Sequence, residues 1–118
     1  MISLRPLEYH VLLALLDGPQ YGYAIKSAVV EDSGGAQSPG PGSLYRVLAR
    51  LLRQGLVVEQ DAPEDGPAHP GLSRRYYELS SAGRRAVARE SRELQRVAAL
   101  ATERLGPRLD ELLEEDGV

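Results

Sequence analysis

The stretch Pro41–Val57, PGSLYRVLARLLRQGLV, decides how the rest of the chain is read. Pro41 suits the first position of a helix, where its missing N–H costs nothing. Gly40 before it is an acceptable cap, and Gly55 suits the stop. At about 100° per residue, Leu44, Val47, Leu48, Leu51 and Leu52 share one arc, while Arg46, Arg50 and Arg53 share the opposite one. Periodicity alone leaves the arginines two meanings. They are either the solvated side of an ordinary amphipathic helix or a face aimed at something negative.

Two shorter helices precede it. Residues 4–16, LRPLEYHVLLALL, repeat Leu4, Leu7, Val11, Leu12, Leu15 and Leu16 at helical spacing, with Ser3 as candidate N-cap and Pro6 in the first turn. The run DGPQ ends that helix. A second is predicted from Tyr21 to Asp32, burying Tyr23 or Ile25 with Val29 and Val30, before the loop SGGAQSPG (33–40). Three short helices with Gly-marked turns, the third basic outside, make a helix-turn-helix.

After Gly55 the period changes. LVVEQ (56–60) and SRRYYEL (73–79) read as two strands, and the Pro/Gly/Asp-rich DAPEDGPAHPGL between them makes a β-hairpin. Arg74 and Arg75 enter the second strand, where a wing meets phosphates or the minor groove. Asp61, Glu64 and Asp65 make the tip acidic, so contact is expected from the strand base. Ser80 then caps a long helix over 82–105. Its Val87, Ser91, Leu94, Ala98, Ala101 and Leu105 recur at steps of four and three, as in a heptad seam. Val97, Leu100, Leu109, Leu112 and Leu113 widen the stripe, and Gly106-Pro107 kinks or interrupts the helix. The seam fits a second copy of the chain or the first helix, and the two contacts are compatible.

Composition narrows the classes. The 118 residues suit one domain with a modest core, and the net charge is −3. Residues 101–118 hold Glu103, Asp110, Glu111, Glu114, Glu115 and Asp116 against Arg104 and Arg108, so the remainder is close to neutral. An acidic tail therefore leaves room for a basic face elsewhere. There is no Cys, and His10 and His69 stand apart in unlike contexts, which offers no metal set and no thiol nucleophile. No phosphate loop, serine elbow or cofactor motif is present. The longest apolar run, Val11–Leu16, is far short of the ~20 residues that span a bilayer, and no signal peptide is visible. The expectation is a cytoplasmic protein that is not an enzyme, with no cofactor and no membrane contact.

Three separated runs, LALLDGPQYGYAIKSAV (13–29), PGSLYRVLARLLRQGLV (41–57) and SRRYYELSSAGRRAV (73–87), resemble the PadR family of bacterial transcriptional regulators. The likeness covers roughly residues 4–90. It implies a winged helix-turn-helix followed by a C-terminal helix that dimerises, and a repressor's role. It implies that Gly18-Pro19 and Gly22-Tyr23 mark the first turn, that Pro41–Tyr45 open the recognition helix with Tyr45 near the DNA backbone, and that Arg75, Tyr76, Tyr77 and Leu79 form the second wing strand. Ser80 stands where Thr is commoner and keeps the capping hydroxyl. Stopping after one long helix, the chain resembles the short subgroup. Some short members bind flat aromatic compounds between stacked indoles; with no Trp and no Phe, this chain lacks that device.

The expectation is a mainly α protein with a small β-hairpin: a winged helix-turn-helix DNA-binding domain over 1–79, then a dimerisation helix and acidic tail over 80–118. Its partners are double-stranded DNA, a second copy of itself and, as an open question, a small-molecule effector. The DNA-binding candidates are Ser43, Tyr45, Arg46, Arg50, Arg53, Arg74 and Arg75. The dimer candidates are Val87, Leu94, Ala98, Ala101 and Leu105. The alternative is a winged-helix module that binds a protein and no DNA.

Overall fold

The computed structural model describes residues 4–61 and 75–115. Helix α1 (Pro6–Ala14) is entered through Arg5, whose backbone is extended, and Pro6 takes the first helical position. The expected cap, Ser3, lies outside the described residues. Within them, Glu8 turns back to accept the Arg5 backbone N–H on Oε1 at 2.8 Å, meeting a donor that the helix entry would otherwise leave open.

Strand β1 (Gln20–Tyr21) follows, then α2 (Gly22–Asp32), α3 (Pro41–Arg53), β2 (Val57–Asp61) and β3 (Arg75–Leu79). The second helix starts one residue later than expected because Tyr21 belongs to β1. Gln20 and Tyr21 pair antiparallel with Tyr77 and Tyr76, so the expected hairpin is a three-stranded sheet in the order β1-β3-β2. Val57 to Asp61 face Leu79 to Arg75 in the β2–β3 ladder. Of the pair Tyr23 or Ile25, Ile25 is buried and Tyr23 is 70% exposed; Val29 is buried and Val30 half-buried.

One core joins every layer. Val11, Leu12 and Leu15 meet Ile25 and Val29, then Leu44, Leu48 and Leu51 from α3, with Leu56, Val57, Tyr77 and Leu79 from the sheet. Each such aliphatic side chain contributes about 1.5–3 kcal/mol of burial free energy, set against the cost of ordering the chain.

Helix α4 (Ser81–Leu105) is anchored at its start. The Ser80 hydroxyl accepts the Gly83 N–H at 3.0 Å and donates to the Gly55 carbonyl at 2.6 Å, while the Ser80 N–H donates to the Leu56 carbonyl at 3.1 Å. The first turns of α4 belong to the winged unit. Val87, expected on a dimer seam, is 5% exposed and packed in the core with Ala86, because the spacing that reads as a heptad there faces the same chain. About one turn beyond, the Ser91 and Tyr9 hydroxyls are 2.7 Å apart, tying α4 to α1. Further along, Leu94, Val97, Ala98, Ala101 and Leu105 are all exposed. At Gly106 (φ +59°) the helix is interrupted, and the acidic tail forms a separate helix, α5 (Arg108–Glu115). The C-terminal part is therefore two helices rather than one. Among the described residues, no helix is long and apolar enough to cross a membrane.

Candidate nucleic-acid interface

The start of α3 is open. Gly40 supplies no side-chain cap, so the first-turn N–H groups of Gly42 and Ser43 face outward beside the Ser43 hydroxyl. Arg46 folds back over this turn, with Nη2 at 3.3 Å from Ser43 Oγ; a Cβ on Gly42 would stand 3.6 Å from its Nη1. Tyr45 is half-buried, its hydroxyl 3.6 Å from where a Cβ on Gly22 would be. The tyrosine ring thus joins the starts of α2 and α3.

The arginines expected on one outer arc divide. Arg46 and Arg53 are exposed, whereas the Arg50 Nε lies 3.1 Å from Glu8 Oε2, and that carboxylate is almost wholly buried. Between the start of α1 and the outer side of α3 runs an open groove of ≈ 490 Å³. Arg5, Arg46, Arg50 and Arg53 line it together with Ser43 and Glu8. Sequence reasoning missed Arg5 and Glu8. The available signal was Glu8's own position: with Leu4, Leu12 and Leu15 it falls on the buried stripe of α1, where a carboxylate requires a partner.

Arg75 begins β3, its Nη1 3.3 Å from Glu59 Oε1 across the ladder. The next core residue on that strand, Tyr77, is 2% exposed. Burial raises its phenol pKa above the ordinary value, the negative charge of Glu59 and the neighbouring Tyr45 add to this, and the Arg75 guanidinium opposes it. Arg75 faces Asp61 at the loop end of the ladder, while Leu79 faces Val57 at its base. On the other face Tyr21 and Tyr76 meet edge to face, centroids 4.7 Å apart. Arg74, Glu64 and Asp65 lie outside the described residues, as does the Asp61 side chain.

Among the described residues no three His, Cys, Asp or Glu side chains come together as metal ligands. His10 has a buried Nδ1 without a hydrogen-bond partner, and the Tyr9 ring stands edge-on to it at 5.9 Å between centroids.

The profile of the transcriptional regulator PadR-like family matches residues 11–89, from within α1 to within α4. The chain belongs to the PadR-like family of transcriptional regulators. An uncharacterised 37.1 kDa protein of transposon Tn4556 from Streptomyces fradiae is 39% identical over 97 residues, covering 82% of this chain and 25% of that protein. The chain thus spans about a quarter of the length of that curated relative. Among solved structures, a PadR family transcription regulator from Clostridium difficile is similar over 86% of this chain and 100% of its own, with a TM-score of 0.69 and 20% identity, a likeness of fold. Bacillus subtilis PadR in complex with operator DNA is similar over 71% of this chain and 45% of its own, with a TM-score of 0.58 and 25% identity. The mainly helical PadR winged-helix fold expected from the three sequence runs is the fold observed.

Proposed function

We propose that this PadR-like regulator is a homodimeric repressor that binds double-stranded operator DNA through α3 and the wing. The observation that carries this reading is the open start of α3 beside a groove lined by four arginines. Outward N–H groups and the Ser43 hydroxyl suit a phosphate, and guanidinium forks suit phosphate or guanine edges. In this reading Ser43, Tyr45 and Arg46 seat the backbone at the helix start, and Arg50 and Arg53 reach into the major groove. Arg74 and Arg75 touch phosphates from the wing. Bacillus subtilis PadR, similar in fold and 25% identical, is the relative solved with operator DNA.

Residues 1–79 form the DNA-binding unit and residues from 80 onward the dimerisation unit, although the first turns of α4 also complete the winged core. The second copy docks on Leu94, Ala98, Ala101 and Leu105, which are exposed along α4. Two-fold symmetry then sets half-sites one helical turn apart, about 34 Å. Release by a small-molecule effector belongs to the same reading.

Mobility shift on duplex from the chain's own promoter region is the direct test. Arg46→Ala with Arg53→Ala removes two cations that hold no buried carboxylate, so folding is spared. If these arginines meet phosphates, affinity falls and the slope of log K against log salt shrinks by about 0.9 for each phosphate no longer neutralised. Unchanged affinity and slope would sink the assignment.

A second reading, a winged-helix module for a protein partner, is favoured by α5, where Leu112 and Leu113 are exposed among Asp110, Glu111, Glu114 and Glu115. Loss of all duplex binding at low salt, with a protein retained in pull-downs, would select it.

A further inference from the structure

We propose that Glu8 is a positioning residue of the DNA interface, fixing the direction in which Arg50 points; this rests on the DNA-binding reading above. Glu8 is 3% exposed and sits at a position of α1 where the helical stripe calls for an apolar side chain. A carboxylate is tolerated in such a place only when its oxygens are met. Here they are met from two different elements: Oε1 takes the Arg5 backbone N–H at the entry to α1, and Oε2 forms an ion pair with Arg50 on α3, 3.1 Å from its Nε.

The choice of nitrogen matters. The ion pair is made at Nε, the innermost nitrogen of the guanidinium, so the stem side of the group is the side held against α1. Arg50 also lines the groove, and its side chain keeps 42% of its surface exposed. Arg50 is thereby held at the groove with less rotamer freedom left to lose when it binds. Arg75 has no comparable restraint, since its partner Glu59 is itself solvent-accessible. Removing the Glu8 charge would release Arg50 and make the groove more positive. Operator binding should then weaken while binding to arbitrary duplex does not.

The test compares the full chain with Glu8→Gln on a duplex from its own promoter region and on a scrambled duplex of equal length. The glutamine carbonyl can still accept the Arg5 N–H, but no carboxylate charge then faces Arg50. Losing the ion pair corresponds to up to about a fivefold drop in operator affinity, with scrambled-duplex affinity equal or higher. In an Arg50→Gln background the same change at residue 8 should leave the ratio of the two affinities unaltered. Equal loss on both duplexes, or loss that persists without Arg50, would mean a purely structural role and overturn the proposal. A second readout needs no DNA. Side-chain relaxation should find the Arg50 guanidinium restrained in the parent chain and mobile in Glu8→Gln, and equal mobility in the two would also overturn it. A parent chain that ignores both duplexes at low salt would instead overturn the DNA-binding reading, whatever the guanidinium relaxation shows.

Discussion

Gly83 passes so close to Leu56 that a Cβ on it would stand 2.1 Å from the Leu56 carbonyl oxygen and 2.8 Å from Leu79 Cδ1. The obstruction is backbone, so no side-chain rotation relieves it. Alanine at this helical position brings a propensity gain of up to ~1 kcal/mol, which the forced separation of α4 from β2 should outweigh. We expect Gly83→Ala to destabilise the protein by about 2–3 kcal/mol, read as a lower thermal midpoint. An unchanged or raised midpoint would contradict the close approach.

Ser80 secures the same junction by different means, since its hydroxyl both accepts from Gly83 and donates to Gly55. Ser80→Ala should cost about 1–2 kcal/mol. Ser80→Asp separates the two bonds: it keeps the acceptor for the helix but sets a carboxylate against the Gly55 carbonyl. Urea midpoints should therefore place Asp below Ser, in contrast to a simple capping position, where the two are equivalent.

Alkaline pH tests Tyr77. Its phenol is raised in the folded chain, chiefly by burial, so the folded state favours the neutral form. The stability linked to this group is complete below the unfolded value, about 10, and is lost as pH climbs through the raised folded value. Urea unfolding on either side of that range should show the fall, and Tyr77→Phe should make it shallower. An identical alkaline fall in the phenylalanine variant would assign it to other tyrosines.

Leu94 and Val87 provide a paired test of α4. Leu94 is 49% exposed in the single chain and Val87 is 5% exposed. Leu94→Glu should halve the particle mass in light scattering while leaving the winged core folded, and operator affinity should drop as the second half-site is lost. Val87→Ala should keep the assembly but lower the thermal midpoint, through about 1–2 kcal/mol of lost packing. A dimer that survives Leu94→Glu would remove that residue from the interface.

The helices were legible where punctuation and periodicity agreed. Pro41 opens α3, Ser80 caps α4 and Gly106 stops it, each through backbone chemistry confined to a few residues. Strand β1 was not legible, because two residues carry no alternation and Gln20 and Tyr21 become a strand only by pairing with Tyr77 and Tyr76 far along the chain. Val87 was misplaced for a related reason: a heptad spacing identifies a buried face without naming what buries it. In the candidate interface, α3 and its arginines could be located from spacing. The capture of Arg50 by Glu8 depends on how α1 lies against α3, and so does the entry of Arg5 into the groove.

Two consecutive residues of α1 serve two different helices. Glu8 grips α3 through Arg50, and Tyr9 grips α4 through Ser91. The path from the C-terminal helix to the arginine groove therefore crosses a single peptide bond of one rigid element and passes through no loop. A rotation of α4 about its own axis would pull on Tyr9 and tilt the carboxylate beside it. A single turn of α1 thus couples the arginine-bearing helix to the C-terminal helix.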